Sequence, residues 1–402
     1  MLTNNGHLTY CTNIHTGENW QDHFTEIKKY FPSIKNELSP DKPMGIGLRL
    51  SNIASEELFQ ANNLSVFRQW LSQNNAYVFT MNGFPYGGFH NIIVKDQVHA
   101  PDWTTTERVD YTIRLFDILK ELLPAEMEGG ISTSPLSYKY WHNGDTALQT
   151  AAKTATENII KVIIHLIEIY NGAGQILHLD IEPEPDGILE TGEEFIHWFM
   201  HHLLPAGEKI IATKFTISEQ EAQKLIKQHL RLCYDVCHFA IGYEPHEEVI
   251  EKIMGLGIHI GKIQISAALK ATFDNDILDR NIIKEKFENF NEPTYLHQVV
   301  ARKLDGELLR YPDLPQALAD VENMDVEEWR AHFHVPIFEE DLGLLQSTQK
   351  DIVTVLDLQK KLNFTQHLEV ETYTWDVIAP ELKLPMQESI IRELKWVDNQ
   401  LK

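Results

Sequence analysis

Short apolar runs alternate with longer amphipathic segments along almost the whole chain. The short runs are rich in Val, Ile, Leu and Tyr and are bounded by turn residues, which is typical of strands buried on both faces. Between them, apolar residues recur at helical spacing, so helices separate the strands. The eight predicted strands are Leu8–Ile14, Gly45–Leu50, Tyr77–Met81, Gly130–Ser134, Ile176–Ile181, Leu230–Tyr234, Lys262–Ser266 and His367–Tyr373.

This alternation predicts parallel strands joined by helical crossovers. A doubly wound open sheet and a closed barrel share the pattern, and eight units favour closure. We therefore predict an α/β fold, a (β/α)8 TIM barrel, with residues 1–402 in one domain. Residues 270–345 form an expected insertion, because the stretch after the seventh strand is too long for a plain loop. Asp305-Gly306 predicts a β-hairpin inside it, and residues 380–402 predict a helical tail.

Composition narrows the function classes. The formal net charge is -24, from 35 basic and 59 acidic side chains, and the basic residues form no stripe, so nucleic acid is an unfavourable partner. Three cysteines at wide spacing fit a reducing compartment better than a disulfide framework. The N-terminus lacks the pattern of a signal peptide, and every long apolar stretch contains charges. We expect a cytoplasmic protein that binds a small molecule without inserting into a membrane.

The most informative motif is LHLDIEPEPD on the fifth predicted strand. At a period of two residues, His178, Asp180, Glu182 and Glu184 share one face. Four such side chains would be costly in a packed core but suit the carboxyl-terminal mouth of a barrel, where a cation or substrate can pair with them. The alternative interpretation is a solvated edge strand with a charged face.

Three further motifs lie near the ends of other predicted strands or in the insertion. Asp235 and His238 follow the sixth strand, and Glu371 lies on the last one, on the same face as Glu369. His332 and His334 form an H-x-H pair in the insertion, which by itself is often only an exposed pair. Carboxylate and imidazole groups are common ligands of Mn, Zn, Fe and Co. Each motif alone is also compatible with a structural role.

Polar and aromatic side chains crowd the predicted strand ends and the loops that follow them. Together they could form a cup that accepts a sugar ring or an apolar organic group, although each aromatic residue also fits a packing role. The residues predicted to contact substrate are Arg49, His90, Trp103, Tyr243 and Trp375.

The run LRLCYDVCHFAIGYE resembles the D-T-C-H signature after strand six of xylose isomerase-like TIM barrels, which include sugar-phosphate isomerases, ketose 3-epimerases and endonuclease IV. This resemblance implies a divalent metal ion, Mn, Zn or Mg, held by Glu182, Asp235 and Glu371, with His238 in the site. Strand seven of those proteins offers a His where this chain has Gln264, a weaker ligand, and His334 is the residue expected to compensate.

Longer motifs resemble the EboE family of metabolite-traffic proteins: LTYCTNIHTGENW, NGFPYGGFH, VKDQVHAPDW, DIEPEPDGILET and HFHVPIF. The two resemblances imply a metal-dependent isomerase or epimerase acting on a small hydroxy-carbonyl compound or a secondary-metabolite precursor, with Glu182, Glu371 and His238 as catalytic residues. The alternative is a carrier that keeps the site without turnover. Phosphodiester cleavage, as in endonuclease IV, is disfavoured by the acidic charge. A homodimer is a further expectation.

Overall fold

The computed structural model describes residues 1–88, 94–274, 276–291, 293–374 and 383–402. A nine-stranded sheet forms its centre, in the order β1-β2-β15-β8-β7-β6-β5-β4-β3. Apart from the antiparallel β1, its neighbouring strands pair in parallel. The strands of this sheet are β1 (Leu2–Thr3), β2 (Gly6–Tyr10), β3 (Met44–Arg49), β4 (Ala76–Asn82), β5 (Gly129–Thr133), β6 (Leu177–Ile181), β7 (Leu230–Asp235), β8 (Ile260–Ile265) and β15 (His367–Val370).

Helices separate these strands, and the chain is an α/β barrel as predicted. Several of them start after a side-chain cap, such as Thr105, which accepts from the Arg108 N–H. Among the described residues, no helix has the length and apolarity needed to cross a membrane. The α-helices are α1 (Trp20–Leu38), α2 (Asn52–Phe59), α3 (Ala61–Gln73), α4 (Thr106–Leu122), α5 (Asp145–Ala173), α6 (Gly192–Trp198), α7 (Leu204–Phe215), α8 (Glu219–His229), α9 (Val236–Ile241), α10 (His246–Gly255), α11 (Ile277–Glu288), α12 (Leu314–Ala319), α13 (Gln349–Leu362) and α14 (Met386–Gln400).

Side-chain hydroxyls close the barrel between β2 and β3. Thr9 Oγ1 donates to the Gly45 carbonyl at 2.9 Å and accepts from the Gly47 N–H at 3.2 Å. Thr12 Oγ1 accepts from the Arg49 N–H at 2.8 Å. The first predicted strand therefore ends at Tyr10, earlier than expected, because the chain turns into a 3-10 helix at residues 12–14.

The interior of the barrel is unusually polar. TIM-barrel interiors are generally filled by branched apolar side chains, whereas this one holds a fully buried pair, Lys262 and Glu369, and a buried Asp180. Glycines provide the space: a Cβ on Gly261 would lie 2.0 Å from Asp180 Oδ1, and one on Gly47 would lie 1.8 Å from Glu369 Oε1. The apolar core lies instead between the sheet and the surrounding helices.

The segment between β8 and α13 forms a second, antiparallel sheet of six strands, in the order β11-β10-β12-β9-β14-β13. This is considerably more structure than the single hairpin predicted for the insertion, because residues 326–335 form a long strand in the middle of the sheet. The strands are β9 (Ala267–Thr272), β10 (Val299–Lys303), β11 (Leu308–Tyr311), β12 (Val326–Val335), β13 (Asp341–Leu342) and β14 (Leu345–Ser347).

An irregularity in β12 positions the two histidines of the insertion. Ala331 pairs with Leu269 and Val335 pairs with Ala267. Between these two pairs β12 spans four residues and β9 only two, so β12 bulges out of regular register. Such bulges bend a strand and are common beside functional sites. The irregular stretch contains His332 and His334, whose side chains line the cavity at the barrel mouth.

Candidate metal centre

Three carboxylates meet at the carboxyl-terminal end of the barrel. Glu182 follows β6, Asp235 ends β7 and Glu371 follows β15. Because parallel barrel strands all end on the same side, these side chains converge. One oxygen from each lies within 4.8 Å of the others, and all three residues are buried. The structure thus brings together the three acidic residues that the sequence proposed as metal ligands.

Asp235 is held so that one oxygen remains available. Its Oδ1 accepts from the His238 N–H at 3.2 Å, which caps α9, and from Ser266 Oγ at 2.6 Å. Its Oδ2 is buried and has no hydrogen-bond partner among the described residues. A buried carboxylate oxygen without a partner is costly. This oxygen therefore suits a cation.

Two amides and a backbone contact fix the other carboxylates. Glu371 Oε1 accepts from Asn13 Nδ2 and, at 3.2 Å, from Asn82 Nδ2. The Glu182 N–H donates to the Thr133 carbonyl at 2.9 Å, which extends the parallel pairing by one residue and directs the side chain into the mouth. Both carboxylates are thus positioned by neighbouring barrel strands.

Crowding of these acids changes their proton affinity. Burial raises the pKa of Glu371 to about 7, against a lowering contribution from His334 and with a further rise from Asp235. Burial, Asp235 and Glu371 together raise the pKa of Glu182 well above its ordinary value. Like charges in a buried site disfavour full ionisation, so the three carboxylates need either protons or a cation, and the geometry accommodates the cation.

Two imidazoles present a free nitrogen to the same region. His238 Nδ1 lies 3.0 Å from the Pro183 carbonyl oxygen, and His334 Nδ1 lies 3.2 Å from the Glu371 carbonyl oxygen. A carbonyl oxygen only accepts, so each Nδ1 carries the proton and each Nε2 keeps its lone pair. A hydrogen bond of this kind from the second ring nitrogen is usual for histidines that bind metals.

His332 completes the imidazole part of the site. Its Nδ1 lies 2.8 Å from Gln298 Oε1, and the Gln298 amide is oriented by donating from Nε2 to the Pro185 carbonyl at 3.0 Å. Its Nε2 therefore also carries a lone pair, and this atom lies 3.1 Å from His238 Nε2. Two lone pairs at this distance repel unless a proton or cation lies between them. Zinc–nitrogen bonds of about 2.0–2.1 Å allow both nitrogens to bind one ion.

The donor atoms form several overlapping groups of three that could hold a metal ion, and within each group the atoms lie within 4.8 Å of one another. The carboxylate group joins the imidazole groups through Asp235 and His238. Beyond Glu182, Asp235 and Glu371, the groups are Asp235 with His238 and His334; Glu184 with His238 and His332; and Cys237 with His332 and His334.

Gln264, which the sequence grouped with the metal ligands, lies on β8 inside the barrel. It is in register with Asp235 of β7 and Glu369 of β15, so it faces the barrel interior. It is fully buried, its two amide atoms have no hydrogen-bond partner in the described part of the chain, and it does not line the cavity. The residue of this segment that reaches the carboxylates is Ser266, which was not predicted.

A cavity opens above the carboxylates, with about 740 Å³ of empty space including its open side. Barrel ends, the turn after residue 94 and the inserted sheet all contribute to its wall. The lining residues are Asn13, Asn82, Phe84, Pro85, Lys95, Val98, His99, Glu182, Glu184, His238, Tyr295, Leu296, His297, Gln298, His332, His334, Glu371 and Tyr373.

Of the five residues predicted to contact substrate, the three that the structure describes lie outside the cavity wall. Trp103 is fully buried and donates from Nε1 to Thr133 Oγ1, and Arg49 donates to the Gly87 carbonyl. Tyr243 stacks under the Arg330 guanidinium, 4.1 Å from its ring centre. None of the three lines the cavity. His90 and Trp375 lie outside the described residues.

The sequence predictions did not include His332 among the ligands, nor Lys95, Tyr295, His297 and Gln298 in the cavity wall. The H-x-H pair did indicate His332, since side chains that are two residues apart on a strand lie on the same face. The other four carry no local signal, because their place depends on how the inserted sheet packs over the barrel.

No family profile matches this sequence, and no curated protein matches it. Solved structures of similar shape include the IolI protein with a bound zinc atom, at 12% identity over 98% of each chain and a TM-score of 0.47. A xylose isomerase-like TIM barrel protein from Mycobacterium smegmatis in complex with magnesium has 10% identity over 100% of both chains and a TM-score of 0.48. A D-tagatose 3-epimerase-like protein has 11% identity over 72% of this chain and 89% of its own, with a TM-score of 0.38. The resemblance to the EboE family is not confirmed by these neighbours.

Proposed function

We propose that this protein is a metal-dependent isomerase or epimerase that acts on a small hydroxy-carbonyl compound. The observation that carries the proposal is the meeting of Glu182, Asp235 and Glu371, three buried carboxylates whose oxygens lie within 4.8 Å at the base of a cavity. The unpartnered Asp235 Oδ2 and the facing imidazole nitrogens fit a divalent cation. The same three carboxylates would hold it, with His334 as a nitrogen donor.

A bound divalent cation would supply Lewis-acid polarisation of a substrate carbonyl. The chain supplies the proton transfer. Glu182 and Glu371 belong to strands separated by β7 and β8, so they approach the cavity from different directions. One carboxylate takes the proton from the carbon next to the carbonyl, and the other returns a proton to the neighbouring carbon or to the opposite face. The His238 side chain would orient the substrate oxygen.

Proton exchange with solvent tests this proposal. Purified protein is analysed for bound metal and incubated in D2O with a hydroxy-ketone such as dihydroxyacetone, and loss of the α-proton signal is followed by NMR. Glu182→Gln and Glu371→Gln should each slow exchange by about 100-fold or more. Glu244→Gln is a matched control, because it also neutralises a partly buried carboxylate, one that accepts from the Gly192 N–H outside the cavity. An equal loss of exchange rate in the control would contradict the roles assigned to Glu182 and Glu371.

A carrier without turnover is the second candidate. It is favoured by Gln264, whose amide takes the place where the resembling enzymes have an imidazole. The EboE-like motifs support a role of either kind in metabolite traffic. Metal-dependent binding of a hydroxy-ketone with no proton exchange would favour the carrier. Wild-type exchange would exclude it, and exchange gained in Gln264→His would show that this position had removed the activity.

A further inference from the structure

Building on the proposed function, we infer that the hydroxy-carbonyl compound is uncharged and carries an apolar body, so that phosphorylated and carboxylated sugars are rejected. The charges of the site give the first reason. Glu182, Glu184, Asp235 and Glu371 belong to the donor groups, and bound metal requires its carboxylate ligands to be ionised. One divalent cation leaves this set negative, and even two only neutralise it, so an anionic substituent gains no net attraction.

Lys95 provides the one ammonium group among the described residues of the cavity wall, and this group is already neutralised. Lys95 Nζ lies 2.7 Å from Asp313 Oδ2. The other oxygen of Asp313 accepts from the His297 and Leu314 N–H groups, both at 3.0 Å, so this carboxylate is fixed in the inserted sheet. The Lys95 N–H also donates to the Thr294 carbonyl at 2.9 Å. Lys95 therefore attaches the turn at the cavity rim to the inserted sheet, which leaves it poorly placed to recognise a substrate anion.

No guanidinium group is available either. Among the described residues, none of the arginines lines the cavity, and Arg108, close by, donates to the Gly83 and Phe84 carbonyls at 2.8 and 2.9 Å. The segments outside the described residues, 89–93, 275, 292 and 375–382, contain no Lys or Arg. Phosphate recognition normally uses Arg, Lys or a free helix N-terminus.

The helix N-terminus at the site is also occupied. In α9, the Cys237 N–H donates to Ser266 Oγ at 3.1 Å, and the His238 N–H donates to Asp235. Both N–H groups therefore already have acceptors within the protein. A phosphate group entering the cavity would therefore meet carboxylates without meeting the donors that anion sites require.

A large part of the cavity wall is apolar. Phe84, Pro85, Val98 and Leu296 line the cavity together with the ring of Tyr295. Polyhydroxylated ligands need hydrogen-bond partners along their length, whereas these side chains offer mainly carbon. The hydroxy-carbonyl group would lie at the carboxylates. The rest of the ligand would be held by burial of its apolar surface.

Three ligands that share a hydroxymethyl ketone group separate these possibilities: 2-hydroxyacetophenone with an apolar body, dihydroxyacetone with a neutral polar one, and dihydroxyacetone phosphate with an anionic one. Their affinities for the zinc-loaded protein are measured by calorimetry at low ionic strength, with chelator-treated protein as the reference. We expect 2-hydroxyacetophenone to bind at least about tenfold more tightly than dihydroxyacetone, and the phosphate to bind most weakly.

A Leu296→Lys variant should tighten binding of dihydroxyacetone phosphate by about tenfold, because it adds an unpaired cation at the wall, whereas Leu296→Gln should not. Strongest wild-type binding of the phosphate, or equal binding of all three ligands, would overturn the inferred substrate class while leaving the proposed function intact. If none of the three bound in a metal-dependent way, the proposed function would fail and the substrate class with it.

Discussion

The ion pair between Lys262 and Glu369 crosses the middle of the barrel and makes a quantitative prediction possible. Both side chains are fully buried, and Lys262 Nζ also donates to Ser132 Oγ at 2.9 Å. Burial disfavours the charged ammonium, but the nearby Glu369 carboxylate more than offsets this and raises the pKa of Lys262. Lys262 is therefore charged at neutral pH, and its charge depends on the presence of Glu369.

Removing one partner leaves an uncompensated charge in the core. Lys262→Met or Glu369→Gln should each lower the free energy of unfolding by about 3–5 kcal/mol, a large part of the roughly 5–15 kcal/mol typical of folded proteins. The double variant Lys262→Met/Glu369→Met removes both charges and keeps similar volume. Its free energy of unfolding should fall by no more than about 1–2 kcal/mol, the cost of leaving the Ser132 hydroxyl without this partner.

Urea unfolding followed by circular dichroism measures these differences through the shift in midpoint and the slope. The surface pair of Lys395 and Glu37 is the control, because both side chains are about half exposed, 50% and 54%. Lys395→Met should change stability by less than about 1 kcal/mol. If the double variant lost as much free energy of unfolding as the two single variants together, the two charges would not be coupled and the reasoning would be refuted.

Three further predictions concern the site, a buried acid and the barrel interior. Asp235→Asn should weaken zinc binding by at least about 100-fold, measured by competition with a chelator, since even indirect contacts to ligands are worth about 10–100-fold. Burial raises the pKa of Glu244 to about 7, so the wild type loses stability as pH rises from about 4.3 to about 7 and the folded protein has to ionise this group. Glu244→Gln should match the wild type in stability near pH 4 and exceed it by up to about 3 kcal/mol at pH 8. A stability difference that stayed constant across this pH range would contradict the raised pKa. Gly261→Ala should destabilise the barrel by about 1–3 kcal/mol, because its Cβ would lie 2.0 Å from Asp180 Oδ1; calorimetric melting checks this, and an unchanged Tm would show that Asp180 can move aside.

The barrel was predictable because its strands carry a strong local signal. Apolar runs such as the one around Val78 must be covered on both faces, and eight strands separated by helices leave few arrangements. The carboxylates were predictable for the same reason. Once Glu182, Asp235 and Glu371 are assigned to the ends of parallel strands, the fold itself brings them together.

Contacts with substrate were harder to predict, because side-chain direction is set by local partners. Arg49 lies at a strand end and Trp103 in a loop, as the sequence suggested, but the Trp103 indole donates to Thr133 and the Arg49 guanidinium to the Gly87 carbonyl, away from the cavity. The place of Gln298 depends on the packing of a whole inserted sheet. No periodicity in one segment encodes such a contact.

The two sheets make chemically different contributions to the site, and this difference bears on the choice of metal. The barrel offers the oxygens of Glu182, Asp235 and Glu371, which suit Mg or Mn, together with the imidazole of His238. The inserted sheet adds His332 and His334, and nitrogen donors shift preference towards Zn, Fe or Co. Because the irregular stretch of β12 places these two imidazoles at the barrel mouth, we expect the insertion to shift the preferred metal as well as to shape the cavity, and a barrel without it to keep a site made mainly of oxygen donors.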